Sequence, residues 1–272
     1  GPRLGGPRMS RITPALHEAV EALIQDVARE VVMPRFRNLA AHEVEEKAAD
    51  DLVTIADKES EARLNEGLSH ILPEAGLIGE EACSADPSIL ARAANGLHWI
   101  IDPIDGTGNF AAGRAPFGIM VALVDNGETL GGWIFDPLTG RMCRATLGRG
   151  TAIDGEQVQA RGSGKALPIA GISTLFLEPA VRERFEDNAA GRLDLVPIPR
   201  CAAEQYPRLV LGQNDISLFE RTLPWDHAAG VLLLNEAGGR CCRMDGSPYR
   251  VGDERSGMLA ASSIFCSNRS RR

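Results

Sequence analysis

The sequence predicts an α+β layered fold. Two amphipathic helical patterns come first, and a run of short apolar segments punctuated by turn residues follows them. A third observation sets aside a Rossmann-type sheet, since strands and crossover helices show no clear alternation.

The first helix is marked by Thr13 as N-cap and Pro14 in the first turn. Leu16, Val20, Leu23, Ile24, Val27 and Val31 then recur at helical spacing until Pro34. A second helix is expected after Asp57, with Leu64, Leu68 and Ile71 on one face and Pro73 as terminator. DLVTIAD, residues 51–57, reads as a short strand or turn feeding it. From residue 76 the runs GLIG, LHWIID, FGIMVALV, TLGGWIF and RMCRAT read as antiparallel strands, with Asn126-Gly127 as a hairpin turn. The Gly- and Ser-rich stretch 154–168 is the best boundary, giving expected halves 9–155 and 156–272 after a leader at 1–8. Beyond it lie an expected strand at 169–173, helices at 179–189 and 202–211, and a strand at 215–219. A final apolar helix should start at Asp226 and stop at Gly238-Gly239.

The chain has 272 residues, of which 44% are hydrophobic, enough for a substantial core. Its 37 acids against 29 Lys and Arg give a formal charge of −8, which argues against a nucleic-acid partner. Phosphorylated small molecules would be repelled too, unless a bound cation intervenes. The six cysteines have neither the density of a disulfide scaffold nor zinc spacing, and no apolar run approaches the roughly 20 residues of a membrane span. A cytoplasmic chain with reduced thiols is expected.

Chemistry concentrates in WIIDPIDGTGNF, residues 99–110, an apolar strand ending in two aspartates and a glycine-punctuated turn. Pro103 forces the chain to turn, so Asp102 and Asp105 can enter one pocket, beside backbone N–H groups of Gly106 and Thr107. By itself a D-P-x-D-G stretch reads equally well as a simple turn. Gly79-Glu80-Glu81 closes another strand, although paired glutamates alone suggest a solvated surface. Asp226, in WDHAAG, alone suggests a helix cap. Three separated acidic segments together would meet the oxygen-ligand demand of Mg²⁺, and two such ions can activate water against a phosphate ester. His227 beside Asp226 reads as a packing residue, and so does Trp99.

Taken together, DLVTIAD, GEE, WIIDPIDGTGNF and WDHAAG resemble the inositol monophosphatase family of lithium-sensitive, magnesium-dependent phosphatases, over roughly residues 13–265. The resemblance implies a five-layered αβαβα sandwich of the inositol monophosphatase and fructose-1,6-bisphosphatase type, a homodimer, and two to three Mg²⁺ ions. Glu80, Asp102 and the carbonyl of Ile104 would hold the first ion. Asp102 would bridge to a second held by Asp105 and Asp226, with a third, weaker ion near Glu80. Thr107, hydrogen-bonded to Asp57, would help Glu80 activate the attacking water, while the Gly106 and Thr107 amides bind phosphate. Asp105, Ala202 of the loop Cys201-Ala202-Ala203-Glu204, Glu220 and Asp226 would contact the alcohol. Lys47 matches a lysine the family places near its active site. Inositol monophosphate is the expected substrate. Histidinol phosphate, fructose 1,6-bisphosphate and 3′-phosphoadenosine 5′-phosphate are its rivals on the same site. A reading of a different class is a regulatory protein that binds a transcription or RNA-processing partner.

Overall fold

A computed structural model describes residues 11–49, 51–175 and 177–263. The expected leader at 1–8 and the last nine residues lie outside the described residues.

Helix α1 (Pro14–Val27) starts as its sequence requires, with the Thr13 side chain accepting from Leu16 N at 3.1 Å. Its apolar stripe continues through one π-helical turn at Ala28–Val32 before Pro34 ends it. A two-stranded ribbon of β1 (Val44–Ala48) and β2 (Asp51–Thr54) leads into α2 (Ile55–Ile71). That helix begins two residues before the expected Asp57. Thr54 is the N-cap, and Asp57 sits three residues on as the returning partner of a capping box.

The main sheet has seven strands in sequential order: β3 (Gly76–Gly79), β4 (Leu97–Asp105), β5 (Gly118–Asp125), β6 (Glu128–Phe135), β7 (Met142–Thr146), β8 (Gly150–Ile153) and β9 (Glu156–Val158). All neighbours are antiparallel except β3 and β4. This exception corrects the expected antiparallel run, because α3 (Glu80–Ala85) and a 3₁₀ segment fill the crossover that a parallel pair needs. Asn126 and Gly127 both take positive φ and join β5 to β6 as a two-residue hairpin. Asp154-Gly155 does the same between β8 and β9, so the chain leaves this sheet after Val158.

A second sheet has the order β11 (Asp194–Val196), β10 (Ile169–Ile172), β12 (Ile216–Phe219), β14 (Met258–Ala261), β13 (Arg240–Arg243). Its first three strands are parallel. The chain moves from β10 outward to β11 through α5 (Pro179–Ala189), then back to β12 through α6 (Ala202–Val210). Right-handed crossovers in opposite directions put these two helices on opposite faces of the sheet.

Alternation along the central strands builds two cores. Trp99, Ile101, Val121, Leu123 and Trp133 face α1 and α2. Ile100, Met120, Ala122 and Ile134 face α6 and α7 (Pro224–Glu236), which also cover Phe219, Met258 and Ala260 of the second sheet. The layers therefore run α1/α2, sheet, α6/α7, sheet, α5, the expected five-layered α+β sandwich. Helix α7 begins at Pro224 with Leu223 as N-cap, so Asp226 lies in the first turn and is not the cap. His227 is buried, its Nδ1 2.7 Å from the Tyr206 hydroxyl. Among the described residues, Cys83, Cys143, Cys201, Cys241 and Cys242 are buried and form no disulfide, and no helix is long and apolar enough to cross a membrane.

Candidate metal centre and active site

Strand β4 solves a geometric problem. Residues 102 and 105 are an odd number apart, so a regular strand would send their side chains to opposite faces. The register passes from Asp102 opposite Met120 to Asp105 opposite Gly118, three residues against two. This bulge at Pro103-Ile104, where proline has no ladder N–H to lose, returns both carboxylates to the α6/α7 face.

Asp105 is then fixed from α6. Its Oδ2 accepts from Ala203 N at 2.7 Å and from the Cys201 thiol at 3.2 Å. Asp226 arrives on the first turn of α7, and ligand oxygens of Asp102, Asp105 and Asp226 all lie within 4.8 Å of one another. Glu80 opens α3 at the end of β3, and its carboxyl and that of Asp226 lie within hydrogen-bonding reach of Asp102. The GEE pair is accordingly not a solvated surface, and Glu80 and Glu81 are both half-buried.

Such crowding shifts every proton equilibrium upward. Burial, then the charge of Asp226, raises Glu80 to about 9. Burial and Asp226 raise Asp105 to about 7, against the pull of its Ala203 and Cys201 donors. Asp102 is pushed well above the carboxylate range by burial and by Glu80, Asp105 and Asp226, while burial raises Asp226. Carboxyl groups this close must share protons or a cation. Asp102 Oδ1 is buried, and no N–H or hydroxyl donor reaches it. An all-oxygen, all-acid set around a buried carboxyl oxygen without a donor fits a hard divalent cation.

The supporting residues fall where the sequence suggested. Thr107 Oγ1 lies 2.8 Å from Asp57 Oδ1 and 2.9 Å from the Ile104 carbonyl. Asp57 is itself buried and held by Thr54 N at 2.8 Å and the Thr54 hydroxyl at 2.6 Å. Gly106 takes φ 83°, and a Cβ there would meet the Pro116 carbonyl at 2.9 Å, so the turn into α4 (Thr107–Ala111) requires glycine. The Gly106 amide lies beside the Asp105 carboxylate and helps to oppose the rise in its pKa. Lys47 Nζ stands 3.4 Å from Glu81, 3.8 Å from Glu80 and 3.9 Å from Asp51, close to where the weaker ion was expected.

Beside Asp105 and Asp226 opens a cavity of about 370 Å³. Ala202 and Glu220, the residues expected to contact the alcohol, line it. So do Arg200, Gln205 and Arg221, which carried no motif in the sequence. Glu204 is turned away from it, paired to Arg141 at 3.1 Å and Arg208 at 2.9 Å. Also missed was Glu61, one turn beyond Asp57 on α2. Its signal was a carboxylate inside the buried stripe of Asp57, Leu64 and Leu68.

The sequence profile of the inositol monophosphatase family matches residues 15–271. The chain belongs to that family. An inositol-1-monophosphatase of Bacillus subtilis is 30% identical over 228 residues, covering 79% of this chain and 81% of the relative. A histidinol-phosphatase of Chlorobaculum parvum is 29% identical over 262 residues, covering 94% and 95%. The fold matches the Thermotoga maritima inositol monophosphatase structure with a TM-score of 0.78 at 23% identity, covering 93% of this chain and 94% of that one. This chain is thus an inositol monophosphatase-family phosphatase, with an acidic cluster able to hold metal.

Proposed function

We propose that the chain is a Mg²⁺-dependent phosphomonoesterase that hydrolyses inositol monophosphate to inositol and phosphate. The observation that carries this reading is the unpartnered Asp102 Oδ1 amid three further acids. Glu80, Asp102, the Ile104 carbonyl, Asp105 and Asp226 would hold two to three ions. Bound there, Mg²⁺ neutralises phosphate charge, acidifies water and stabilises the leaving oxygen.

The chain's own residues do the rest. Asp57 accepts the Thr107 hydroxyl proton, so the Thr107 oxygen is free to accept from the attacking water. Glu80, deprotonated, takes that water's proton as general base. The Thr107 amide, at the start of α4, holds a phosphate oxygen. Ala202, Glu220 and the hydroxyl-facing edges of Asp105 and Asp226 orient the alcohol within the cavity.

Histidinol phosphate is the second reading, supported by the comparably similar relative and by Glu220, a carboxylate suited to an alcohol bearing an amine. Phosphate release from inositol 1-phosphate and from histidinol phosphate, with Mg²⁺, Li⁺ or chelator, tests both. Turnover of inositol 1-phosphate that vanishes with chelator is expected. Faster turnover of histidinol phosphate would reassign the substrate, and metal-independent turnover would remove the mechanism.

A further inference from the structure

Glu80 differs from the three aspartates in how it is held. Asp102 and Asp105 sit on a central strand and Asp226 on a thirteen-residue buried helix. Glu80 is the first residue of α3, which is only six residues long, and such a helix is marginal without external support. Its N-cap is Gly79, which has no side chain to satisfy the leading amides.

Those amides are satisfied from α2. Glu61 Oε1 accepts from Glu81 N at 2.9 Å, and its Oε2 accepts from Ala82 N at 2.8 Å. One carboxylate thus receives the two residues immediately after Glu80, one per oxygen, and an anion here also suits the positive end of the helix. Glu61 is buried, with burial raising its pKa and the two amides opposing the rise. Gly79 completes the fit, because a Cβ at that position would collide with the Glu61 carboxyl group. One turn earlier on the same helix face, Asp57 holds Thr107. Two carboxylates at i and i+4 therefore tie two separate chain segments of the site to one rigid element.

We infer that Glu61 is a positioning residue for the metal centre: it fixes the backbone from which Glu80 projects and so sets the affinity for the divalent ion. This rests on Glu80 being a metal ligand. Positioning groups of this kind commonly change metal affinity about 10–100-fold when removed. Glu61→Gln keeps the volume but replaces one acceptor oxygen with an amide NH2 donor facing a backbone N–H. Glu61→Asp keeps the charge but is one methylene short of both amides.

The experiment is Mg²⁺ titration by calorimetry, paired with the Mg²⁺-induced shift in melting temperature, on wild type, Glu61→Gln, Glu61→Asp, Glu80→Gln and Leu64→Val. Leu64 is fully buried on the same helix and has no polar role, so its variant reports on packing alone. The inference expects Glu61→Gln and Glu61→Asp to weaken Mg²⁺ binding about 10-fold or more, with substrate KM unchanged at saturating Mg²⁺ and Leu64→Val within twofold of wild type. It is overturned if Glu80→Gln weakens binding while whichever Glu61 variant folds stays within twofold, or if Leu64→Val weakens binding equally. A Glu80→Gln variant with wild-type Mg²⁺ affinity would instead remove the ligand assignment beneath it.

Discussion

Asp215, just before β12, and Asp102, within β4, are both carboxylates anchored to a sheet, and they are treated in opposite ways. Burial pushes Asp215 upward, but the Ser163 hydroxyl and amide and the Ile169 amide outweigh it and hold the group below its ordinary pKa. It fastens the segment around Ser163 to β10 and needs nothing further. Asp102 has an oxygen with no donor, three acids for neighbours, and a pKa far above the carboxylate range. A carboxylate supplied with donors is a structural clamp, whereas one surrounded by other acids is complete only with a cation.

The largest test exchanges the roles. Asp102→Asn should lower kcat on the order of 10³-fold while leaving the metal-free protein about as stable as wild type, because the crowded cluster already holds the Asp102 carboxyl protonated and the neutral amide replaces it at equal size. Asp215→Asn should do the reverse, costing about 1–3 kcal/mol of stability with catalysis retained below the melting temperature. Parallel measurement of kcat and thermal unfolding checks both. An Asp102→Asn protein that loses stability as Asp215→Asn does would erase the distinction.

A smaller effect separates the two regions by pH. Asp105 at about 7 and Glu80 at about 9 bind protons more tightly in the folded than in the unfolded chain, where carboxylates titrate near 4. The folded state then carries the extra protons, and stability must fall as pH rises through that interval. His17 and His227, depressed to about 4 and about 3 by burial, act oppositely, but only below about 6.5. Between pH 7 and 8 the acids dominate; above that the buried thiols of Cys83, Cys143 and Cys201, raised by burial, add to the same fall. Metal-free protein should lose melting temperature across this range, and Mg²⁺ should flatten the slope. Equal slopes with and without Mg²⁺ would show that the cluster binds no cation.

How much of this was legible in the sequence depends on how local the cause is. Apolar periodicity and the Thr13-Pro14 and Asn126-Gly127 signals act within a few residues, so the helices and hairpins were readable in order. Asp102 and Asp105 were readable as a pair because Pro103 marks the break between them, although the bulge that aims them appears only in the register with β5. Taken alone, Asp226 read as a cap because a first-turn acid and a cap look alike without backbone angles, and only its company with the other acidic segments pointed to a ligand. Glu61 and Arg200 were hidden for a different reason. Glu61 meets residues 20 and 21 positions away, and Arg200 shares a cavity with Asp105 only once α6 has docked on β4. Such pairings are products of tertiary packing and leave no spacing to read.

The least disruptive change addresses the boundary between metal centre and substrate cavity. Glu220 lines the cavity with an exposed side chain, and its backbone carbonyl accepts from Gly257 N at 2.7 Å. Glu220→Gln leaves that anchor intact and removes one negative charge from the alcohol side alone. Stability and Mg²⁺ affinity should stay at wild-type values, since neither clamp nor metal centre is touched. The ratio of kcat/KM for histidinol phosphate over inositol 1-phosphate should fall about tenfold, because only the former presents an ammonium whose partner is lost. A parallel loss on both substrates would mean that Glu220 acts through the acidic cluster, and the separation between the metal centre and the specificity wall would have to be redrawn to include it.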